Sequence, residues 1–221
     1  MAKIVLQSVS KSYRVGKSAV EVLRGIDLEI QSQDCLAVTG ASGSGKTTLL
    51  NLIGGMDRAD AGDILWDGQS WKGKSLGDLS RWRANRLGFV FQAYHLLDEL
   101  TVLENTALPA RLARRDRIQE AEALLDSVGL SHRLDHRPSE LSGGEKQRCV
   151  IARALINNPD VVLADEPTGN LDRENSDSIL KLLLDLTSER QKSLVLVTHD
   201  PIIAAAAKRR VHLVDGKISE S

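Results

Sequence analysis

Gly40, Ala41, Ser42, Gly43, Ser44, Gly45, Lys46 and Thr47 fit the pattern G-x-x-x-x-G-K-[ST], whose residue types suit one task, holding a row of phosphates. Small residues let backbone N–H groups curl around phosphate oxygens, and a helix starting at the same place adds partial positive charge. Lys46 would reach the β- and γ-phosphates, and the Thr47 hydroxyl would ligate Mg²⁺. Glycine is needed where φ is positive or where a Cβ would block the approach. The pattern has meaning only between a strand and a helix. Cys35-Leu-Ala-Val-Thr39 reads as a buried strand, and Thr48 to Ile53 as a helix. Gly40 through Thr48 are therefore the expected nucleotide-binding stretch.

Other residue types carry compatible chemistry. Asp165-Glu166 follows the apolar run Val161–Ala164, at the carboxyl end of a strand, where ligands bind in open α/β folds. Asp165 is placed to hold Mg²⁺ through its water shell, and Glu166 to polarise a water for in-line attack. Gln92 follows another apolar strand, where it would either touch both Mg²⁺ and that water or simply leave the sheet. His199 ends the run Leu194–Thr198, and its imidazole can donate to a γ-phosphate. Ser142-Gly143-Gly144-Glu145 reads as a helix start. It is either an ordinary capping box or a second anion-binding terminus, and two glycines are an odd choice for a plain cap. Supplied from a second copy of the chain, that terminus would cover the nucleotide of the first. Tyr13 stands in an expected loop before the phosphate loop, free either to stack on adenine or to serve as filler.

The elements that must place these residues alternate. Strands are expected at Ile4–Val9, Val22–Ile30, Cys35–Thr39, Asp63–Trp66, Leu87–Phe91, Val161–Ala164 and Ser193–Thr198, with Val211–Val214 as the last. Asp67-Gly68 is a hairpin signal. Helices are expected at Thr48–Ile53, Leu79–Arg86, Ser142 to about Asn157, Asn175–Arg190 and Pro201–Lys208. The stretch Leu103–Val128 reads as two helices interrupted at Pro109, the second closed by Gly129. Strands alternating with helices give a mostly parallel sheet with helices on its faces. Residues 92–158 hold helices only and would form an inserted helical lobe. The arginines at 81, 83 and 86 and the cluster Arg111–Arg117 read as solvated helix faces.

Composition narrows the class. With 29 Lys plus Arg against 30 Asp plus Glu, the chain has no electrostatic reason to bind nucleic acid. No apolar run approaches the ~18 residues of a membrane helix. No signal-peptide core precedes the first strand, so a cytosolic chain without direct membrane insertion is expected. Cys35 and Cys149 match no metal or redox spacing and read as reduced thiols.

Taken together, these residues resemble the ATP-binding subunits of ABC transporters. The phosphate loop, Gln92, Leu141-Ser-Gly-Gly-Glu145, Asp165-Glu166, Gly169-Asn-Leu-Asp172 and His199 occur in that family's order and span nearly the whole chain. Tyr13 matches its adenine-stacking aromatic. The resemblance implies an α/β phosphate-loop NTPase core with an N-terminal antiparallel β subdomain and an inserted α-helical subdomain. All of residues 1–221 would form one ABC ATP-binding domain, with 1–91 and 159–221 as core and 92–158 as the helical part. It implies ATP and Mg²⁺, a dimer closed by two ATP, and a membrane permease with a periplasmic domain moved through the groove near Gln92, on the cytoplasmic side of the inner membrane.

The stretches Phe91–Leu97, His136–Leu141, Asn157–Pro159 and Ala164–Thr168 look like the LolD and MacB group, which serves lipoprotein release and macrolide or toxin export. Lipoprotein release is the better match. An export pump of that group and a cell-division-type ABC ATPase acting as a conformational signal remain alternatives. Two positions depart from the pattern. Gln33-Asp34 stands where a Gly-Glu turn is usual, and Asp98 stands for a proline in the segment where a membrane subunit would dock.

Overall fold

The structure, a computed structural model, describes residues 3–16 and 18–220. In chain order it runs β1 (Ile4–Val15), β2 (Ser18–Ile30), β3 (Cys35–Thr39), α1 (Lys46–Ile53), β4 (Ala61–Trp66), β5 (Gln69–Ser70) and α2 (Leu76–Arg86). There follow β6 (Leu87–Phe91), α3 (Val102–Leu112), α4 (Ile118–Ser127), α5 (Gly143–Leu155), β7 (Val161–Asp165) and α6 (Arg173–Glu189). β8 (Ser193–Val197), α7 (Pro201–Ala205), β9 (Arg209–Val214) and β10 (Lys217–Glu220) complete it, with short 3₁₀ turns at Ser131–Arg133 and Pro138–Glu140. Two compact units emerge: one takes in the described residues up to Ser80 and from Ser193 onward, the other Arg81–Lys192.

In the first unit β1 lies antiparallel to both β2 and β4, and the order β2-β1-β4-β5 makes an N-terminal antiparallel sheet. A second sheet in the same unit has β3 between β8 and β9, parallel to both, with β10 antiparallel at the edge. Leu36, Ala37 and Val38 are 0% exposed, and Leu194–Val197 are at most 1% exposed. Such continuous apolar runs are what strands covered on both faces require. In the second unit β6 and β7 pair in parallel, and α5 packs closely on β6. A Cβ on Gly88 would lie 2.3 Å from the Ala154 carbonyl oxygen, so only glycine permits that approach. This is the α/β architecture with an antiparallel N-terminal sheet that the resemblance implied, and residues 92–158 hold no strand among the described residues.

Several expectations need correction. Tyr13 is in no loop: β1 continues to Val15, and Tyr13 pairs with Val20 across a long hairpin. Pro109 does not break the helix. It sits inside α3, whose Val102, Ala107 and Ala110 are at most 1% exposed, and this burial outweighs one missing N–H. The chain turns instead at Arg114 (φ 58), where the Arg115 N–H donates to the Ala110 carbonyl and the Arg114 N–H to Arg111, a Schellman end without glycine. Val214 does not end the last strand, because Asp215-Gly216, both left-handed, turns β9 into β10. The arginines read as solvated are partly engaged, Arg86 with Asp160 and Arg115 with Asn85. At Gln33 the chain takes φ 61, which costs a non-glycine roughly 1–2 kcal/mol. The turn is held by the Gln33 N–H on the Ser193 hydroxyl at 2.9 Å and by Arg209 on Asp34 at 2.6 Å.

Candidate nucleotide-binding site

The phosphate-loop sequence leaves β3 at Thr39 and enters α1 at Lys46. Gly40 is forced by contact, since a Cβ there would meet the Leu213 carbonyl at 2.4 Å and the Ser44 hydroxyl at 2.7 Å. Gly45 is forced by conformation, with φ 103. It leaves α1 with no side-chain cap and no acidic residue in the first turn. By contrast α3, α5, α6 and α7 start under caps from Thr101, Ser142, Asp172 and Asp200, and uncapped α4 has Glu120 in its first turn. The first N–H groups of any helix lack intrahelical partners, and neither the cap nor the first turn of α1 supplies a group to answer them. The Lys46 ammonium, 8% exposed, donates to the Gly40 carbonyl at 2.8 Å and to Ala41 at 2.9 Å. An ammonium has three protons, so one is left for an outside acceptor. Ala41, Ser42, Gly43 and Thr47 are exposed, and Ser44 and Thr48 half-buried.

The same unit brings His199 to this loop's edge. Val38 and Val197 are register partners in β3 and β8, so Gly40 and His199 leave the ends of adjacent parallel strands. Tyr13 is 38% exposed, and its hydroxyl donates to Asp57 at 2.7 Å.

In the second unit, Phe91 and Asp165 are register partners, so Gln92 and Glu166 leave adjacent strand ends in the same way. Glu166 has φ 44, a left-handed backbone that costs a non-glycine roughly 1–3 kcal/mol and is characteristic of functional positions. Its carbonyl accepts from the Gly169 N–H at 3.0 Å. Asn170 ties Gln92 in place: its amide donates to the Gln92 carbonyl at 2.7 Å and accepts from the Gln92 amide at 3.3 Å. The segment after Gln92 takes two left-handed residues, Tyr94 and His95, whose carbonyls accept from Arg153 of α5. Arg153 carried no sequence signal, and Asn170 stood out only as part of the stretch Gly169-Asn-Leu-Asp172.

Ser142 opens α5 through a capping box. Its hydroxyl accepts from the Glu145 N–H at 3.3 Å, while its own N–H and hydroxyl each lie 2.8 Å from the Glu145 carboxylate. Arg133 donates to the other carboxylate oxygen at 3.0 Å. The bond from the Ser142 backbone, with Ser142 Oγ and Arg133 adding to it, holds the Glu145 carboxyl below its ordinary pKa. The glycines have a packing reason: a Cβ on Gly143 would lie 3.2 Å from both Tyr94 Oη and Leu171, and one on Gly144 3.0 Å from Asn175. The capping box and close packing thus coexist with whatever else this terminus does.

A strand, a glycine-bounded loop and an uncapped helix carrying Lys46 and Thr47 define the class as a phosphate-loop nucleotide-binding protein. The sequence pattern of the ABC transporter family matches residues 23–169. The chain belongs to the ABC transporter family, as one of its ATPase subunits. It is 49% identical over 218 residues to a lipoprotein-releasing system ATP-binding protein LolD of Saccharophagus degradans, covering 96% of this chain and 95% of that protein. The LolD of Syntrophotalea carbinolica is 48% identical, covering 99% and 97%. Among solved structures, the dimeric structure of MJ0796, a bacterial ABC transporter cassette, superposes with a TM-score of 0.91 at 37% identity, covering 98% of this chain and 97% of that one. A post-hydrolysis state of the same cassette with ADP and Pi also gives 0.91, at 36% identity.

Proposed function

We propose that this chain is the ATPase subunit of a lipoprotein-releasing system, working as a pair of copies against a membrane permease on the cytoplasmic face of the inner membrane. The observation that carries the choice of system is the similarity to lipoprotein-releasing ATP-binding proteins at 43–49% identity over at least 95% of the chain. The dimeric MJ0796 cassette supports pairing of copies. Among the described residues no helix is long and apolar enough to cross a membrane.

In this reading Gly40–Thr48 hold the phosphates of ATP, the remaining Lys46 proton goes to a β- or γ-oxygen, and Tyr13 stacks on the adenine. Glu166 accepts a proton from water as the water oxygen attacks the γ-phosphorus. The bond to the β-phosphate oxygen breaks, giving ADP and phosphate. His199 donates to the γ-phosphate, and Gln92 orients the water. The donor set of Thr47 hydroxyl, Gln92 amide oxygen and Asp165 carboxylate suits Mg²⁺, a hard cation that takes oxygen ligands. When bound, the ion neutralises phosphate charge. Ser142, Gly143, Gly144 and Glu145 of the second copy close over the nucleotide.

Depleting the protein in its host, then following newly made lipoproteins between inner and outer membranes, tests the system. Accumulation in the inner membrane is expected, and undisturbed release would overturn the assignment. The chemistry is tested by Glu166→Gln, which should bind ATP as before, lose turnover by about 10²–10⁴-fold and persist as an ATP-bound dimer. Wild-type turnover in that variant would remove Glu166 from its role.

A further inference from the structure

The Tyr13 side chain is gripped at its far end. Its hydroxyl donates to Asp57 Oδ2 at 2.7 Å, and the Asp57 N–H lies 3.4 Å from the Asn51 carbonyl of α1. Burial and the bond to Asp57 raise the phenol's pKa, and the Thr48 hydroxyl pulls it the other way. Asp57 is itself fixed. The Lys11 ammonium donates to Asp57 Oδ1 at 2.8 Å and to the Arg58 carbonyl at 2.8 Å, and it lies 3.6 Å from Asp60. Lys11 is only 8% exposed, so these partners hold a cation that has little water to turn to. Two residues before Tyr13 on β1, Lys11 shares its side of the strand, and its ammonium stands 5.1 Å from the ring centroid. All these groups belong to one compact unit.

We propose that Asp57 is a positioning residue for the nucleotide base: locked by Lys11, it holds the Tyr13 hydroxyl so that the ring stands pre-set beside the helix that carries the phosphate loop. The inference rests on Tyr13 being the ring that stacks on adenine. An exposed tyrosine without such a tether would have to be ordered by the ligand, and that ordering would be subtracted from the affinity. The tether also fixes the span between base and phosphates, so it should matter for ATP and not for phosphates alone.

Two probes separate these roles, ATP and inorganic tripolyphosphate, each titrated calorimetrically into the full chain. Tyr13→Phe keeps the ring and the Lys11–Asp57 pair but removes the tether. It should weaken ATP by about three- to tenfold and leave tripolyphosphate unchanged. Asp57→Asn should weaken ATP in the Tyr13 background and add nothing in the Tyr13→Phe background, while Asp57→Glu should restore part of the loss. If Tyr13→Ala weakens ATP but Tyr13→Phe does not, the positioning role fails and the stacking role stands. If Tyr13→Ala binds ATP as the parent does, the stacking reading itself fails. Equal weakening of ATP and tripolyphosphate by Tyr13→Phe would reveal a general loosening of the unit and overturn the proposal. Should Asp57→Asn not fold, Tyr13→Phe decides alone.

Discussion

Removing the charge of Lys46 isolates what the phosphate loop contributes. Lys46→Met keeps the apolar stem, which the buried position requires, and deletes the ammonium. Two of its protons are committed to the Gly40 and Ala41 carbonyls, so under the proposed function a nucleotide would receive one direct charge-assisted bond. Such a bond is worth roughly 1.5–3 kcal/mol, which is about a tenfold to 150-fold loss in ATP affinity. AMP has neither the β- nor the γ-phosphate and should bind both proteins alike. Calorimetric titration of ATP and AMP into each protein, beside a thermal melt, separates loss of contact from loss of fold. ATP affinity within twofold of the parent, in a variant that melts normally, would refute the assignment of this lysine. An equal loss for ATP and AMP would mean that the loop had collapsed and that the carbonyl bonds to Lys46 were structural.

Three other outcomes follow from named contacts. Asn105, 0% exposed, accepts from the Leu97 N–H and donates to the Leu97, Leu100 and Thr101 carbonyls at 2.8–3.1 Å; Asn105→Ala should cost about 3 kcal/mol in denaturant unfolding, and a loss below 1 would mean those groups find other partners. The Glu145 carboxyl is held below its ordinary value of 4.5, so its contribution to stability is present above that pH and is lost as pH falls through the depressed value. The melting temperature of the parent should therefore exceed that of Glu145→Gln near neutrality, with the gap closing only below pH 4.5; a gap that stayed constant would mean that the bonds from Ser142 and Arg133 do not favour the charged carboxylate. Ser142→Ala should lower stability by about 1 kcal/mol through the lost cap, read from the same melts.

The sequence alone determined the strand–loop–helix around Lys46, because that motif is local: glycine conformation, an apolar run and a helix start lie within twenty residues of one another. The same holds for the capping box at Ser142, the Asp67-Gly68 hairpin and the C-terminus of α4 at Gly129. The sequence also placed Gln92, Asp165, Glu166 and His199 at strand ends, since buried parallel strands read as short apolar runs. Where it misled, a distant partner had overridden a local rule. Tyr13 looked like loop because the alternation of Ser12-Tyr-Arg-Val15 is too short to announce a strand before Gly16, and pairing with β2 made it strand. Pro109 looked like a helix break, and packing of α3 carried the helix to Leu112. Asp215-Gly216 bore the same turn signal as Asp67-Gly68, but the short β10 after it had Ile218 alone to announce it.

What holds each candidate group in place came from contacts between distant parts of the chain. Asp57 lies 44 residues from Tyr13, Asn170 lies 78 from Gln92, and Arg153 lies 58 and 59 from the two carbonyls it clamps. No spacing rule reaches so far, because hydrogen bonds at that separation depend on where the backbone is carried by strands and helices between. The glycines at 143 and 144 make the same point. Their sequence says only that a side chain is missing, and the packed Tyr94, Leu171 and Asn175 supply the reason. Residue types and short spacings therefore determined which chemistry this chain performs, while long-range packing determined the orientation in which each group is held.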